Sequence, residues 1–164
     1  MINYKLMTET KQIRKRLAKH LEGGEAFMSV TDMLKKVSFE DINTRPANLP
    51  YSFYELFFHV TFTQKDIVKF TCSDDYTEPK WPDFYWPKEK ICKSVEQWET
   101  LKAEYTTDRE RLKNFLLNEE NQLLQPVKNG KDEQTLLREV TLVIEHTAYH
   151  AGQMLVILRL LNLH

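Results

Sequence analysis

Two histidines, His146 and His150, stand four residues apart in Glu145-His146-Thr147-Ala148-Tyr149-His150-Ala151-Gly152-Gln153, within a long run free of proline. On an α-helix that spacing separates two side chains by about 40° and one turn, close enough to hold one ion. A third histidine, His59, lies far away in sequence inside another helical pattern. Three neutral imidazoles brought together offer three lone pairs to a divalent metal and leave a coordination position for water or substrate. From spacing alone, three hydrogen-bonded core or surface histidines explain the pattern equally well.

The neighbours of these histidines bear on the choice, because a ligating imidazole needs a partner for its second ring nitrogen. With His146 at 0° on a helical wheel, His150 falls at about 40°, Gln153 at about −20° and Glu139 at about 20°. The same sector holds Leu142, Val143, Met154, Ile157, Leu160 and Leu161, so the pair is expected to face inward. His59 borders an apolar stripe of Phe53, Leu56, Val60 and Ile67, with Thr61, Lys65 and Lys69 opposite and with Glu55 and Asp66 within about 40° of it. Gln153, Glu139, Asp66 and Glu55 are therefore the candidates to brace the imidazoles. His20, beside Gly23-Gly24, and His164, the last residue, are expected to stay outside the site.

The elements that must position these residues read as helices. Leu6, Ile13, Leu17 and Leu21 recur among basic residues, and Gly23-Gly24 stops that helix. Ser29-x-x-Asp32 opens a short helix to about Val37, Ser52-x-x-Glu55 opens one to about Thr71, and Ser94-x-x-Gln97 opens one to about Leu117. Asp132 is the expected cap of a last helix reaching about Leu161. The stretch from about 72 to 92 carries Pro79, Pro82 and Pro87 among Trp81, Phe84, Tyr85 and Trp86. Prolines forbid a continuous helix there, and the aromatics predict an ordered loop folded over the bundle, which either plugs one end of it or supplies the walls of a pocket, Tyr85 and Trp86 among them. The fold class is all-α: one domain over residues 1–164, an antiparallel four-helix bundle with a long aromatic connection.

Composition excludes several functions. Lys plus Arg number 23 against 24 Asp plus Glu, which gives no electrostatic reason to expect nucleic acid or an anionic membrane as partner. Cys72 and Cys92 form neither a disulfide framework nor a thiolate zinc site, and a reducing cytoplasmic setting fits them best. Neither a secretory signal nor a spanning helix is expected. There is no G-x-S-x-G elbow, Gly-rich phosphate loop or H-E-x-x-H motif, so no catalytic residue beyond the histidines is assigned.

The chain resembles the DinB-like (DinB/YfiT) superfamily of metal-dependent enzymes over nearly its whole length. The resemblance is carried by Leu21-Glu22-Gly23-Gly24-Glu25-Ala26-Phe27, by the run from Leu49 to His59 with Gln64, Asp66 and Ile67, by Tyr85-Trp86-Pro87 and by His146 to Gln153. It implies a four-helix bundle, commonly a homodimer, with a divalent metal held by His59, His146 and His150. Zinc, nickel or iron suits such imidazoles. It also implies a small-molecule substrate. The preferred expectation is thiol-dependent S-transfer with a low-molecular-weight thiol such as bacillithiol or mycothiol. The alternatives are a metal-dependent hydrolase and a non-catalytic stress-related binding or structural bundle.

Overall fold

The computed structural model describes residues 2–46 and 48–164, with the side chains of residues 9–46 and 48–164. Among them five helices follow in order: α1 Ile2–Glu22, α2 Val30–Leu34, α3 Phe53–Cys72, α4 Val95–Leu117 and α5 Leu136–Leu160. The described residues contain no strand, only one isolated bridge between Pro126 and Thr135. Among the described residues, no helix is long and apolar enough to cross a membrane.

The helix starts follow the capping chemistry written in the sequence. Ser29, Ser52 and Ser94 each accept a hydrogen bond from the backbone N–H three residues on, from Asp32, Glu55 and Gln97. At α3 the box is reciprocal: the Glu55 carboxylate accepts from Ser52 N at 2.8 Å, and Arg45 Nε holds the same carboxylate at 2.9 Å. At α4 the returning bond shifts by one residue, Gln97 Oε1 accepting from Lys93 N at 2.9 Å. Glu55 is thus spent on the helix start and on Arg45 and does not brace His59. Because Ser52 is fully buried, Ser52→Ala is expected to lower stability by about 1 kcal/mol, read as a fall in thermal midpoint of roughly 2–4 °C.

Two boundaries differ from expectation. The cap of α5 is Thr135, whose hydroxyl accepts from Arg138 N, while Asp132 sits at φ +49° in the preceding turn. A capping residue needs extended backbone, so the left-handed geometry disqualifies Asp132. Helix α2 ends at Leu34 rather than near Val37. At the end of α1, Gly23 at φ +76° donates its N–H to the His20 carbonyl at 3.1 Å, the left-handed stop that a glycine permits.

Contacts between helices fix their directions. Arg14 of α1 meets Leu116 of α4 and Arg109 of α4 meets Leu21 of α1, so these two run antiparallel. Asp66 of α3 shares a cavity with Glu139 of α5 while His59 meets His146 and His150, so α3 and α5 are antiparallel too. By contrast Tyr54 meets Gln97 and Gln64 meets Tyr105, and α3 and α4 run the same way. A parallel pair cannot be joined by a short turn, which is why the 73–94 connection must be long.

The apolar core falls into two clusters. One gathers Val30, Met33, Phe53, Phe57, Val60, Trp98, Tyr105, Met154 and Ile157, and the other Leu21, Val68, Leu112, Leu116, Leu136, Val140 and Val143. The gap between them is filled on α3 by Gln64, on α4 by Arg109, and on α5 by Thr147 with His146 and His150. The histidines therefore belong to a polar layer midway along the bundle.

Some stripe assignments shift. Ile13 is 48% exposed, and the inward positions of α1 are Arg14, Ala18 and Leu21. Leu6 lies outside the described side chains. Thr61 is only 1% exposed, although it was expected on the solvent side, because α3 is enclosed nearly all round in its first half. Leu160 faces out.

Candidate metal centre

Helices α3 and α5 bring the three expected histidines together. His59 Nε2 lies 3.1 Å from His146 Nε2, and the ring centroids of the three are 4.5 to 4.9 Å apart. One ligand atom from each lies within 4.8 Å of the others, and these three form a group able to hold a metal ion. Two nitrogens about 2.1 Å from one ion at tetrahedral or octahedral angles are themselves roughly 3.0–3.4 Å apart, which the His59–His146 pair already matches.

The second ring nitrogens decide the tautomers. His59 Nδ1 donates to the backbone carbonyl of Tyr85 at 2.9 Å, and His150 Nδ1 donates to Gln153 Oε1 at 2.6 Å. A carbonyl oxygen can only accept, so both rings carry their proton on Nδ1 and present a lone pair at Nε2. This is the arrangement in which outer partners orient ligating histidines. Of the four expected braces, Gln153 is the one that hydrogen-bonds a histidine, and Tyr85 contacts His59 through its backbone and not its side chain.

Burial keeps the trio neutral. His146 is pushed down to about 3, first by burial and then by the nearby His150 and His59 rings. His59 is lowered by burial, against a smaller opposing effect of the Tyr85 carbonyl, and His150 is lowered by burial against its bond to Gln153. Three imidazoles that resist protonation are ready to give lone pairs to a cation. As pH falls below about 6.5, the unfolded chain takes up protons before the folded one. The stabilisation these groups provide is therefore complete above about pH 6.5 and is lost on acidification toward the folded value of His146. Thermal midpoints of metal-free protein between pH 7.5 and 5 are expected to fall, and His146→Ala is expected to flatten that slope.

The aromatic connection covers the site with one residue pair. The Trp86 ring lies flat on His59, centroids 4.3 Å apart and planes 2° from parallel, and the Tyr149 ring meets His150 edge-on at 4.8 Å. Trp86, His59, His150 and Tyr149 thus form a continuous row of rings, with the two outer ones exposed. The expectation that all four loop aromatics would leave water does not hold: Trp81 is 74% exposed and Phe84 also faces solvent. Neither has an aromatic neighbour; Lys88 merely rests over Phe84.

Asp66 and Glu139 do not touch the histidines. Asp66 accepts from Tyr76 and Tyr85, and the buried Glu139 is held by Arg138 at 2.5 Å. Both line a cavity of about 250 Å³ that lies further along α3 and α5. The thiols are remote from chemistry: burial lifts Cys72 to about 11, and burial also raises Cys92. His20 lies 3.7 Å from Glu25, away from the centre.

Sequence reasoning missed the residues beneath the site. Arg109 donates through Nε to Gln64 at 2.8 Å, through one terminal nitrogen to Thr147 at 3.0 Å and through the other to the Leu21 carbonyl, and it stacks on Tyr105. The signal was present: Trp98, Leu101, Tyr105, Leu112 and Leu116 leave one inward position empty, and that position is 109.

Comparison with known proteins gives one match. Residues 24–154 match the family model described as the DinB superfamily, covering α2 to most of α5 and all three histidines. No curated protein and no solved structure matches the chain.

Proposed function

The chain belongs to the DinB superfamily, and on that premise we propose that it is a metal-dependent enzyme acting on a small molecule, with His59, His146 and His150 as the ligands of one divalent ion. The observation that carries this is the gathering of three rings that each place a ligand atom within 4.8 Å of the others, with Nδ1 of His59 and His150 tied to an oxygen so that Nε2 is the nitrogen of each left with a lone pair. Zinc, nickel and iron are the ions whose preferences match three imidazoles. Three protein ligands leave room for a substrate atom, the mark of a catalytic rather than a closed structural site.

The proposed reaction is S-transfer, in which a low-molecular-weight thiol and a small electrophile give a thioether and the protonated leaving group. The ion, when bound, supplies the positive charge that lowers the pKa of the thiol. The protein's part is to keep the imidazoles neutral, to fix their tautomers through Tyr85 and Gln153, and to screen one side of the centre with Trp86 and Tyr149. A thiol from outside is required because Cys72 and Cys92 are held protonated and neither belongs to the centre. Both cysteines are free, in keeping with a reducing cytoplasm. The homodimer belongs to the same proposal, and the exposed Tyr149, Val156 and Leu160 on α5 are apolar surface it would cover.

Metal-loaded protein tested with a panel of thiols and model electrophiles is expected to show turnover that needs both thiol and metal and that chelation abolishes. Turnover without thiol, in ester or amide hydrolysis, would replace the transferase with a hydrolase. No turnover of either kind would favour a non-catalytic binding bundle.

A further inference from the structure

One tyrosine lies along three residues of α3. The Tyr85 backbone carbonyl accepts from His59 Nδ1, its ring packs edge-on against Phe62 with centroids 5.2 Å apart, and its hydroxyl donates to Asp66 Oδ2 at 2.6 Å. Residues 59, 62 and 66 follow one another on a single helix face, and seven residues of α-helix advance about 10.5 Å. The side chain of Tyr85 therefore bridges the metal centre to a carboxylate two turns away. The other oxygen of Asp66 accepts from the Tyr76 hydroxyl at 2.9 Å, and Tyr76 packs on Phe70. Both ends of the aromatic strap are thus tied to one side chain.

We propose that Asp66 is a positioning residue for the metal centre: through the Tyr85 hydroxyl it fixes the strap so that the Tyr85 carbonyl holds the proton of His59 on Nδ1 and Trp86 stays stacked on the same ring. The strap has no secondary structure to fix its path from 76 to 86 beyond turns and bends. Its polar anchors decide where its backbone lies, and the carbonyl that orients His59 is part of that backbone. Burial and the Asp66 carboxylate both raise the phenol pKa of Tyr76 and Tyr85, so both hydroxyls remain donors.

This inference rests on the proposed metal site for one of its readouts and is independent of it for the other. The first readout is Trp86 fluorescence in a Trp81→Phe background, where Trp98 remains buried and constant. Tyr85→Phe, which deletes a single hydroxyl, and Asp66→Leu are each expected to shift Trp86 emission to the red and to increase its quenching by acrylamide. The second readout is cobalt(II) titration followed by visible absorption. Both variants are expected to weaken cobalt binding by roughly 10–100-fold, as losses of an outer partner do, with altered bands. The double variant is expected to be no worse than Asp66→Leu alone, and Tyr76→Phe to change affinity less than about threefold. Should Asp66→Leu fail to fold, Tyr85→Phe carries the test. Unchanged Trp86 emission in Tyr85→Phe overturns the inference, as does unchanged cobalt affinity when wild type binds. Wild type that binds no cobalt refutes the proposed metal site, and the Trp86 readout then decides the role of Asp66 by itself.

Discussion

The variant carrying both His146→Ala and His150→Ala is expected to lose metal binding altogether, and each single variant to bind more than about 100-fold more weakly than wild type. Loss of an outer-shell partner costs roughly 10–100-fold, and removal of a lone-pair donor must exceed that. The effect also appears in stability, because an ion that binds the folded chain alone stabilises it by about 4 kcal/mol at a concentration 1,000 times the dissociation constant. For a chain of this size that raises the thermal midpoint of wild type by roughly 8–16 °C. The double variant is expected to show no such rise. Its metal-free form should still unfold cooperatively, since only His150 of the pair is buried and neither belongs to the apolar clusters. A metal-induced rise that survives the double substitution would move the ion elsewhere.

The second large effect is expected at Arg109, which contacts no ion or substrate. The residue is 8% exposed, and its guanidinium donates to Gln64, Thr147 and the Leu21 carbonyl, so it binds all four long helices together. A buried charge is costly to desolvate, and replacing a buried ion pair by apolar groups is often neutral. Here the acceptors remain after the substitution, and one of them is a backbone carbonyl at the negative end of α1. Leaving three buried acceptors unsatisfied, at about 1–3 kcal/mol each, outweighs the relief. Arg109→Met is expected to lower stability by about 3 kcal/mol and the thermal midpoint by roughly 6–12 °C. Arg109→Lys should recover less than half, since a point charge cannot reproduce the fork. A change below about 2 °C would mean that the network is decoration.

Arg14 repeats the device in the other direction. From α1 it donates to the carbonyl of Leu116, in the last turn of α4, and to those of Asn118 and Asn121 just beyond it, as Arg109 of α4 donates to the end of α1. Each of these antiparallel helices lends a cation to the C-terminus of the other, where the helix dipole favours it.

The histidines were legible because ligand spacing and inward azimuth are both local properties of a helix: His146 and His150 needed only 3.6 residues per turn. Gln153 was legible for the same reason, three residues from His150 on one face. The route from Asp66 to His59 was not legible, because azimuth places the two near each other without saying what lies over that face; the strap brought two phenols to Asp66. The role of Tyr85 is carried by its backbone carbonyl, which no side-chain pattern can announce. The capping serines were readable, yet Asp132 was not excluded, because a left-handed φ leaves no trace in residue type when Asp tolerates it. The polar layer of Gln64, Arg109 and Thr147 hid in plain periodicity. Each occupies an inward position of an otherwise apolar stripe, and only the meeting of four helices shows that they satisfy one another.

Elemental analysis of protein prepared without an affinity tag, from metal-replete growth, tests the central claim most directly. The account predicts close to one equivalent of zinc, nickel or iron per chain, reduced to background in the variant lacking His146 and His150. Wild-type protein with no stoichiometric metal, or with metal that the double variant retains, would contradict it.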